Sequence, residues 1–591
     1  MKLRKFLSKA LGYDGPPTDR KFILEETKEE KFLAADGDIK GDTVNAAHPR
    51  CPLKKPKKPG QNEQTANEQD TGELRHTLSE NILYLEEKFH LPKNKDVVFR
   101  SFTISTVPEV SAVLLYLENM VDKQAINHSI LQPLMLLSHL NPNQGANLAT
   151  YQRILQSYLP SNHVRKLTIY DEVITEVTGG ATVILFDGCS YGLAAETRGF
   201  AFRNIEAART EQVVQGPQEG FNENIQDNTS LIRKHLRTEQ LITEYEKVGV
   251  RNKTNVAIMY LEDLANTSLV KEVKSRVTGI NADYLPESGT LEEFIEDHTF
   301  SLIPQIIKTE RPDRVASMLI EGKVAIVVDN DPFVMLVPTT LWDLLHSPED
   351  HYVRFPYGFW LRFIRLAAAL LTVLLPALYV AVATFHQEMI PTDLLLSIAA
   401  AKERVPFPTI VEVLLMEFSF ELIREAGVRV PGIIGPTVGI VGTLILGQAA
   451  VAASLVSPIL IIVVAVTGLS SYAIPSYSAG FGLRFMRFIF IFLAATLGFF
   501  GISTGLFIVF CLLLSMNSFG VPFLAPVAPK TVRSADILIR YPVWSQEQRP
   551  DYLQTKDRQR QVNKSRRWLT KSPDQRKDGG SAGAGKQNRR D

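Results

Sequence analysis

Fifty-four consecutive residues, Val430–Leu483, carry no charged side chain. A helix that crosses a bilayer needs about 20 predominantly apolar residues, so this run can hold two passes. It also contains eight glycines and four prolines, which a water-soluble helix would accommodate only at a cost. In hydrocarbon such residues let backbones approach closely, and small residues one helical turn apart mark that packing. Ala449, Ala453 and Ser457 are spaced that way, as are Ala450 and Ser454. Tightly packed membrane helix is the expectation, with the rest of the chain arranged around it.

Two further uncharged runs, Leu366–Phe385 and Phe488–Pro529, accompany the first. The balance of 64 basic and 64 acidic residues therefore hides a segregation of charge to the two ends. The expected fold class is an α/β soluble N-terminal region of two subdomains followed by an α-helical multi-pass membrane domain. The expected segments are a disordered polar tail (1–72), subdomain 1 (73–210), subdomain 2 (211–350), the membrane domain (355–528) and a basic tail (529–591). In the first tail Lys54, Lys55, Lys57 and Lys58 would either touch anionic lipid or belong to a solvated linker. The opening MKLRKFLSKALGYDG lacks the sustained apolar core of a signal peptide, so the soluble half is expected on the cytosolic side.

From Leu74 to residue 350 helical and alternating apolar patterns take turns. DVVFRSFTI, VSAVLLYLE, ATVILFDG and NVAIMYLEDLA read as strands, and GELRHTLSENILYLEEKF, IYDEVITEV and LVKEVKSRV as helices. KVAIVVDNDPFVMLVP reads as a hairpin whose Asp329-Asn330-Asp331-Pro332 tip is explained by turn chemistry without a metal. No phosphate-binding glycine loop, dinucleotide fingerprint, HExxH or GxSxG motif occurs in this half. Cys51, Cys189 and Cys511 are widely separated, which fits unpaired thiols. Neither an enzyme nor a cofactor, metal or nucleic-acid site is expected.

In the apolar half, Arg354, Arg362 and Arg365 precede a first pass at about 361–385 and fit a cytosolic entry. Passes at about 436–455, 458–474, 484–500 and 502–518 would place Arg484 and Arg487 inside. TIVEVLLMEFSFELIREAG, with Glu412, Glu417, Glu421, Arg424 and Glu425, either crosses, giving six passes, or lies re-entrant or interfacial, giving four. Both arrangements leave the two termini inside. In the tail, Ile537, Leu538, Trp544 and Tyr552 could rest on the membrane surface.

Several collinear segments resemble the A-subunits of the GerA-type spore germinant receptors of endospore-forming bacteria. They are GPQEGFNENIQDNTSLIRKHL (216–236), KTERPDRVASMLIEGKVAIVVDNDPFVMLVPTT (308–340), ATFHQEMIP (383–391) and LLMEFSFELIREAGVRVPGIIGPTVGIVGTLILGQAAVAASLVSP (414–458). The resemblance covers about residues 75–550. It implies a multi-pass protein of the spore inner membrane with a cytosolic N-terminal region and a cytosolic C-terminal tail. It also implies assembly with a transporter-like B-subunit that carries the nutrient pocket and with a lipoprotein C-subunit. The A-subunit would form a homo-oligomer, a pentamer, that conducts monovalent cations at the start of germination. A similar paralogous branch acts downstream of the receptors, and the motifs do not separate the two.

On a helical wheel of 438–457, Gly439, Gly442, Ala450, Ala453 and Ser454 share a small-residue packing face. Val441, Leu444, Gln448, Val451 and Leu455 stand opposite. An amide on a lipid face would be unsatisfied, so this face meets either protein or a water-filled path. Val451 and Leu444 around an axis would form a constriction that gates by dewetting, with Gln448 beside it. An ordinary buried helix remains open from the residues alone, and the resemblance favours the pore. Glu417, Glu421 and Arg424 share a helix face, while Glu412 points away. They could form a cation-attracting vestibule, an ion-pair latch or the wet side of an interfacial helix. In the soluble half, Glu219, Arg233, Arg311 and Asp313 are candidates for inter-subdomain or subunit contacts, or for plain caps and surface pairs. A secondary transporter is a further reading, though no repeat relates 359–440 to 440–525; a membrane scaffold is another.

Overall fold

The computed structural model describes residues 22, 24, 72–104, 110–135, 164–199, 208, 211, 213–429, 442, 445–531 and 540–561. Val441, Leu444 and Gly439 lie outside the described residues, as do Lys54, Lys55, Lys57, Lys58, Ile537 and Leu538.

The first unit starts with α1 (Leu78–Lys88), followed by β1 (Val97–Ile104) and β2 (Val110–Leu117). A helix α2, with a π-helical middle (Asn127–Leu131) between Lys123–Ile126 and Gln132–Met135, leads to β3 (Val164–Leu167). Then come α3 (Tyr170–Thr178), β4 (Thr182–Phe186) and β5 (Gly192–Ala195). The strands form an antiparallel sheet in the order β1-β2-β4-β5-β3. Both faces are covered. Leu114, Ile184 and Leu193 pack on the α2 side, and Val113, Val183 and Leu185 pack on the side of α1 and α3. Burial on both sides is why β4 reads as an unbroken apolar run instead of alternating.

The second unit repeats the plan. Its elements are α4 (Ile225–His235), β6 (Leu241–Val248), β7 (Thr254–Leu261), α5 (Thr267–Thr278) and α6 (Ser288–Ile295). They continue as β8 (Ile307–Thr309), α7 (Pro312–Ile320), β9 (Val324–Val328) and β10 (Val334–Val337). The sheet order, β6-β7-β9-β10-β8, is that of the first unit. The likeness extends to single atoms. Asp187, just past β4, accepts the first amide of α1 (Leu78, 3.2 Å), and Asp329, just past β9, accepts the first amide of α4 (Ile225, 3.4 Å). Asn81 and Asn228, three residues into these helices, brace the preceding loop identically. Each accepts the amide and donates to the carbonyl of the residue six positions earlier, Arg75 or Asn222. Gly180 (φ 89°) and Gly322 (φ 98°) close α3 and α7 in the left-handed region that other residues reach only at a cost.

A helical block follows α8 (Leu341–Leu345) and α9 (Glu349–Tyr352). It comprises α10 (Phe355–Thr384), α11 (Thr392–Glu403), α12 (Thr409–Arg429), a helix α13 at 445–452, α14 (Pro458–Tyr472) and α15 (Tyr477–Ser515). By length and composition, α10 and α15 could each cross a membrane. α15 is a hairpin and not one rod. Gly498 breaks it (φ 59°, ψ −138°), and a Cβ on Gly505 would lie 2.8 Å from Leu493 Cδ1 and 3.0 Å from Phe490 Cε1. A straight helix rises about 1.5 Å per residue and would hold 490 and 505 more than 20 Å apart.

Three expectations need correction. The apolar run up to Pro529 leaves the helices at Ser515. Its hairpin β11 (Asn517–Ser518) and β12 (Val521–Pro522) enters the second unit, where Phe519, Val521 and Ala525 join the sheet core. Apolar character is satisfied there by the core of the second unit. The basic tail is folded over 540–561. Leu553 is fully buried, and the Lys556 amide donates to the Leu264 carbonyl (3.1 Å). Tyr552 packs against the core of the second unit, not on a membrane surface. In the segment 1–72, Leu24 is buried in that same core. One apolar cluster runs unbroken from Leu231 and Met259 of the second unit through Ile303, Met516 and Phe523 to Val373, Val380 and Ile491 of the block.

Candidate functional site

The α12 sequence places Glu417, Glu421 and Arg424 on one face of an otherwise apolar helix. The first arm of α15 faces it with Arg484 and Arg487, one turn apart. Arg487 and Glu417 are both fully buried, and Nη1 of Arg487 lies 2.8 Å from Oε2 of Glu417. Nη2 of Arg487 is 3.5 Å from Oε2 of Glu421, whose Oε1 is 3.2 Å from Nε of Arg484. Arg424 lies 3.8 Å from Glu421, donates to Ser471 Oγ of α14 at 2.5 Å and stacks on Tyr472 at 4.5 Å. The cluster thus ties three helices of one chain together. Arg484 and Arg487, read from the sequence only as marks of the inner side, are also the partners of the glutamates. The legible signal is a pair of arginines three apart in an apolar helix, opposite glutamates four apart in another.

Glu412 is turned elsewhere and is nevertheless buried. Its Oε2 accepts the Ser457 amide (3.1 Å) at the start of α14, beside the Ser457 hydroxyl and the Tyr379 hydroxyl 3.3 Å from it. Glu425 is exposed. An interfacial α12 with all its charges in headgroup water is excluded by the burial of Glu412 and Glu417. Three arginines against two glutamates give the cluster a surplus positive charge. That sign suits a latch and opposes a vestibule that attracts cations.

α13 ends earlier than its apolar pattern implies. Ser454 adopts φ 55°, its amide donates to the Val451 carbonyl (2.9 Å), and the Leu455 amide donates to the Ala450 carbonyl (2.9 Å). This pair of bonds is a Schellman stop, built here without glycine. Ala453, Ser454 and Leu455 therefore lie in a turn and not on the helix, and Ala453 is exposed, so neither face extends through them. Ala450 is buried, and a Cβ at Gly442 would sit 3.6 Å from Ile423. At Gly447, absent from the expected packing face, a Cβ would sit 3.5 Å from Ile461. Gln448 is exposed in the single chain and Val451 is half-buried.

In the soluble half, Arg233 joins the two units. Its Nε donates to Asp96 Oδ2 (2.9 Å) and its Nη2 to Asn94 Oδ1 (3.1 Å), both of the first unit, and Nη2 also reaches Thr243 Oγ1 (3.0 Å). Asn119 donates to Thr229 and Tyr245 across the same seam. Arg311 and Asp313 serve another junction. Fully buried, Arg311 grips Asp313 (2.8 Å) and the Pro217 carbonyl (2.7 Å), and Tyr352 of α9 donates to Asp313. Asp350, also fully buried, then takes Arg365 (2.6 Å) and Arg362 (3.2 Å) of α10, and Arg540 donates to the Val353 carbonyl (2.9 Å). Glu219 makes a pair with Lys234 (2.6 Å) inside the second unit and does not reach the first. Asp329 and Asp331 spend their oxygens on amides, Asp331 on Ser288 and Phe333.

Among the described residues, no group of three or more His, Cys, Asp and Glu side chains is placed to hold a metal ion. Burial, with the carboxylates of Glu292 and Glu293, pushes Glu296 of the second unit up to about 7.

The family described as "Bacillus/Clostridium GerA spore germination protein" matches residues 84–552. Spore germination protein KA of Bacillus subtilis is 39% identical over 82% of this chain and 88% of its own length. The uncharacterized membrane protein YfkQ of the same organism is likewise 39% identical, over 77% and 87%. Spore germination protein A1 of Bacillus subtilis is 42% identical over 63% and 77%. A crystal structure of the N-terminal domain of the A subunit of the Bacillus megaterium spore germinant receptor GerK3 is 32% identical, covers 45% of this chain and 95% of its own, and superposes with a TM-score of 0.35. The chain belongs to the GerA family of spore germination proteins.

Proposed function

We propose that the chain is the A-type, multi-pass subunit of a nutrient germinant receptor in the spore inner membrane, where an oligomer of it passes monovalent cations. It performs no chemistry of its own. The observation that carries the reading is Gln448, an amide exposed on α13 next to half-buried Val451, on a helix whose other exposed residues, Ile445, Leu446, Ala449 and Ala452, are apolar. Hydrocarbon leaves such an amide unsatisfied, so a neighbouring subunit or water must meet it. A ring of α13 helices around an axis supplies both, with Val451 as the dewetting constriction.

The chain makes six passes in this reading. α10 runs outward, α12 returns, α13 and α14 form a second pair, and the two arms of α15 form a third. Both soluble ends then share the cytosolic side. A pentamer, a transporter-like B-subunit and a lipoprotein C-subunit complete the assembly in lipid. A second reading is a related channel that acts downstream without sensing nutrient, and the equal identity to germination protein KA and to the uncharacterized YfkQ does not separate the two.

The test is potassium flux from liposomes holding the full chain, alone and with its receptor partners. Flux that rises with nutrient supports the receptor, and nutrient-independent flux supports the downstream channel. No flux in either setting defeats the ion path and leaves a scaffold. Val451→Ala is expected to give spontaneous leakage; unchanged conductance removes the gate from Val451.

A further inference from the structure

The loop 296–304 of the second unit is pinned at one end of the α15 hairpin. The Leu302 carbonyl oxygen lies 1.9 Å from where a Cβ on Gly482 would sit, so loop and helix backbones touch. Ser301 Oγ donates to Met516 Sδ at 3.6 Å, where the second arm leaves the block. Ile303 turns into the core. Phe300 (71% exposed) and Leu302 (40%) are exposed on the loop, and Tyr477 (63%), Phe481 (59%) and Phe485 are exposed on the first arm, where Phe481 directly precedes the Gly482 that Leu302 touches. Those three aromatics are spaced four apart and share one helix face. Thr299–Ile303 carries no charge, while Glu296 caps α6 and Asp297 takes Arg276 of α5 (2.8 Å).

We propose that this loop is a lipid anchor of the soluble region: Phe300 and Leu302 enter the headgroup–acyl boundary of the cytosolic leaflet next to Tyr477 and Phe481. The occupant is phospholipid because Leu302 meets the first arm at Gly482, next to exposed Phe481, on a helix that the membrane reading places across the bilayer. Aromatic side chains favour that boundary. The inference rests on the membrane reading above. It adds that the second unit touches the bilayer itself and follows the tilt of α15 against it.

The experiment uses the full chain in phosphatidylethanolamine–phosphatidylglycerol vesicles with Cys51 and Cys189 replaced by Ala. Nitroxide labels are placed at native Cys511, at Phe300→Cys and at Leu83→Cys, the last two with Cys511→Ala. Collisions with oxygen and with a water-soluble nickel chelate are compared. The expected result is loss of nickel-chelate broadening at Phe300→Cys relative to Leu83→Cys, with oxygen broadening retained. A Phe300 label as wet as the Leu83 label, with Cys511 protected, overturns the anchor and leaves the membrane reading standing. Wet labels at both 300 and 511 overturn both. A Phe300 label shielded from oxygen and nickel alike places protein there and overturns the lipid occupant. As a check on the native loop, Phe300→Ser is expected to speed amide exchange over 296–304 in vesicles; unchanged exchange also overturns the anchor.

Discussion

The two soluble units share a strand order, an Asn brace, an Asp cap and a left-handed glycine, yet they are loaded differently. Among the described residues, the first unit meets the rest of the molecule through the Arg233 seam. The second receives Leu24, the β11–β12 hairpin, the 540–561 strap and the α9–α10 junction. The same plan is therefore joined to its surroundings at one seam in one copy and at several in the other. The difference resides in the surfaces and not in the scaffold.

The largest expected effect comes from cutting the seam. Arg233→Met leaves the buried carboxylate of Asp96 without its ion pair, which costs about 3–5 kcal/mol. Denaturant unfolding of the full chain measures it, and a loss below about 1 kcal/mol would mean that the two units are not mechanically joined there. Next is Leu553→Ala, which empties a fully buried site under the strap and should cost about 2–3 kcal/mol. Amide exchange should rise in β9 and the strap while β1–β5 stay protected; equal loosening of both units would contradict the asymmetry of loading.

Asn81→Ala and Asn228→Ala remove equivalent braces and should each cost about 1–3 kcal/mol. Asn81 also accepts the Tyr170 hydroxyl (2.6 Å), which makes its replacement the more costly of the two. If only one substitution destabilises its unit, the duplication is one of shape without shared energetics.

The smallest effect separates the units by pH. Glu296 is pushed up to about 7, from its ordinary 4.5, by burial and then by Glu292 and Glu293, with Lys308 opposing and Asp297 adding to the rise. A carboxylate with a raised folded pKa costs stability in its charged form. That cost is absent below 4.5, grows through the window up to about 7 and is full above it. Glu296→Gln should therefore slow exchange of α6 at pH 8 and lose that advantage as the pH falls towards 4.5. A benefit independent of pH would place its origin in packing.

Much of this architecture is legible from residues. Runs such as VAIVV and TVILF announce buried strands, and LVKEVKSRV carries its helical stripe openly. β6, LITEYEKV, hides because its charged Glu244 and Lys247 break the apolar run; Glu244 is held by Tyr260 and Lys274. The duplication hides because it is written in single atoms, Asn81 with Asn228 and Asp187 with Asp329, and not in stretches of like sequence. In the block, apolar composition finds the helices but not their ends. Ser454 stops α13 through a backbone angle, and Met516–Pro529 is as apolar as a membrane segment although its burial is in a soluble core. The glutamates of α12 stand out at once, whereas their arginine partners are disguised by the rule that reads basic residues as cytosolic markers.

The fold-back of Phe519, Val521 and Ala525 fixes an order of construction. As the chain leaves the ribosome, the sheet of the second unit is complete by Val337, but its core lacks these side chains until the helices between have been made. Among the described residues, the first unit bonds nothing later than Glu262, which takes Lys93 (3.0 Å), and can mature early. The second stays open until the helical block has been made and closes when Phe519, Val521 and Ala525 reach its core. Completion of the block is thereby written into the finished sheet, and a chain that stalls midway displays an unsealed core.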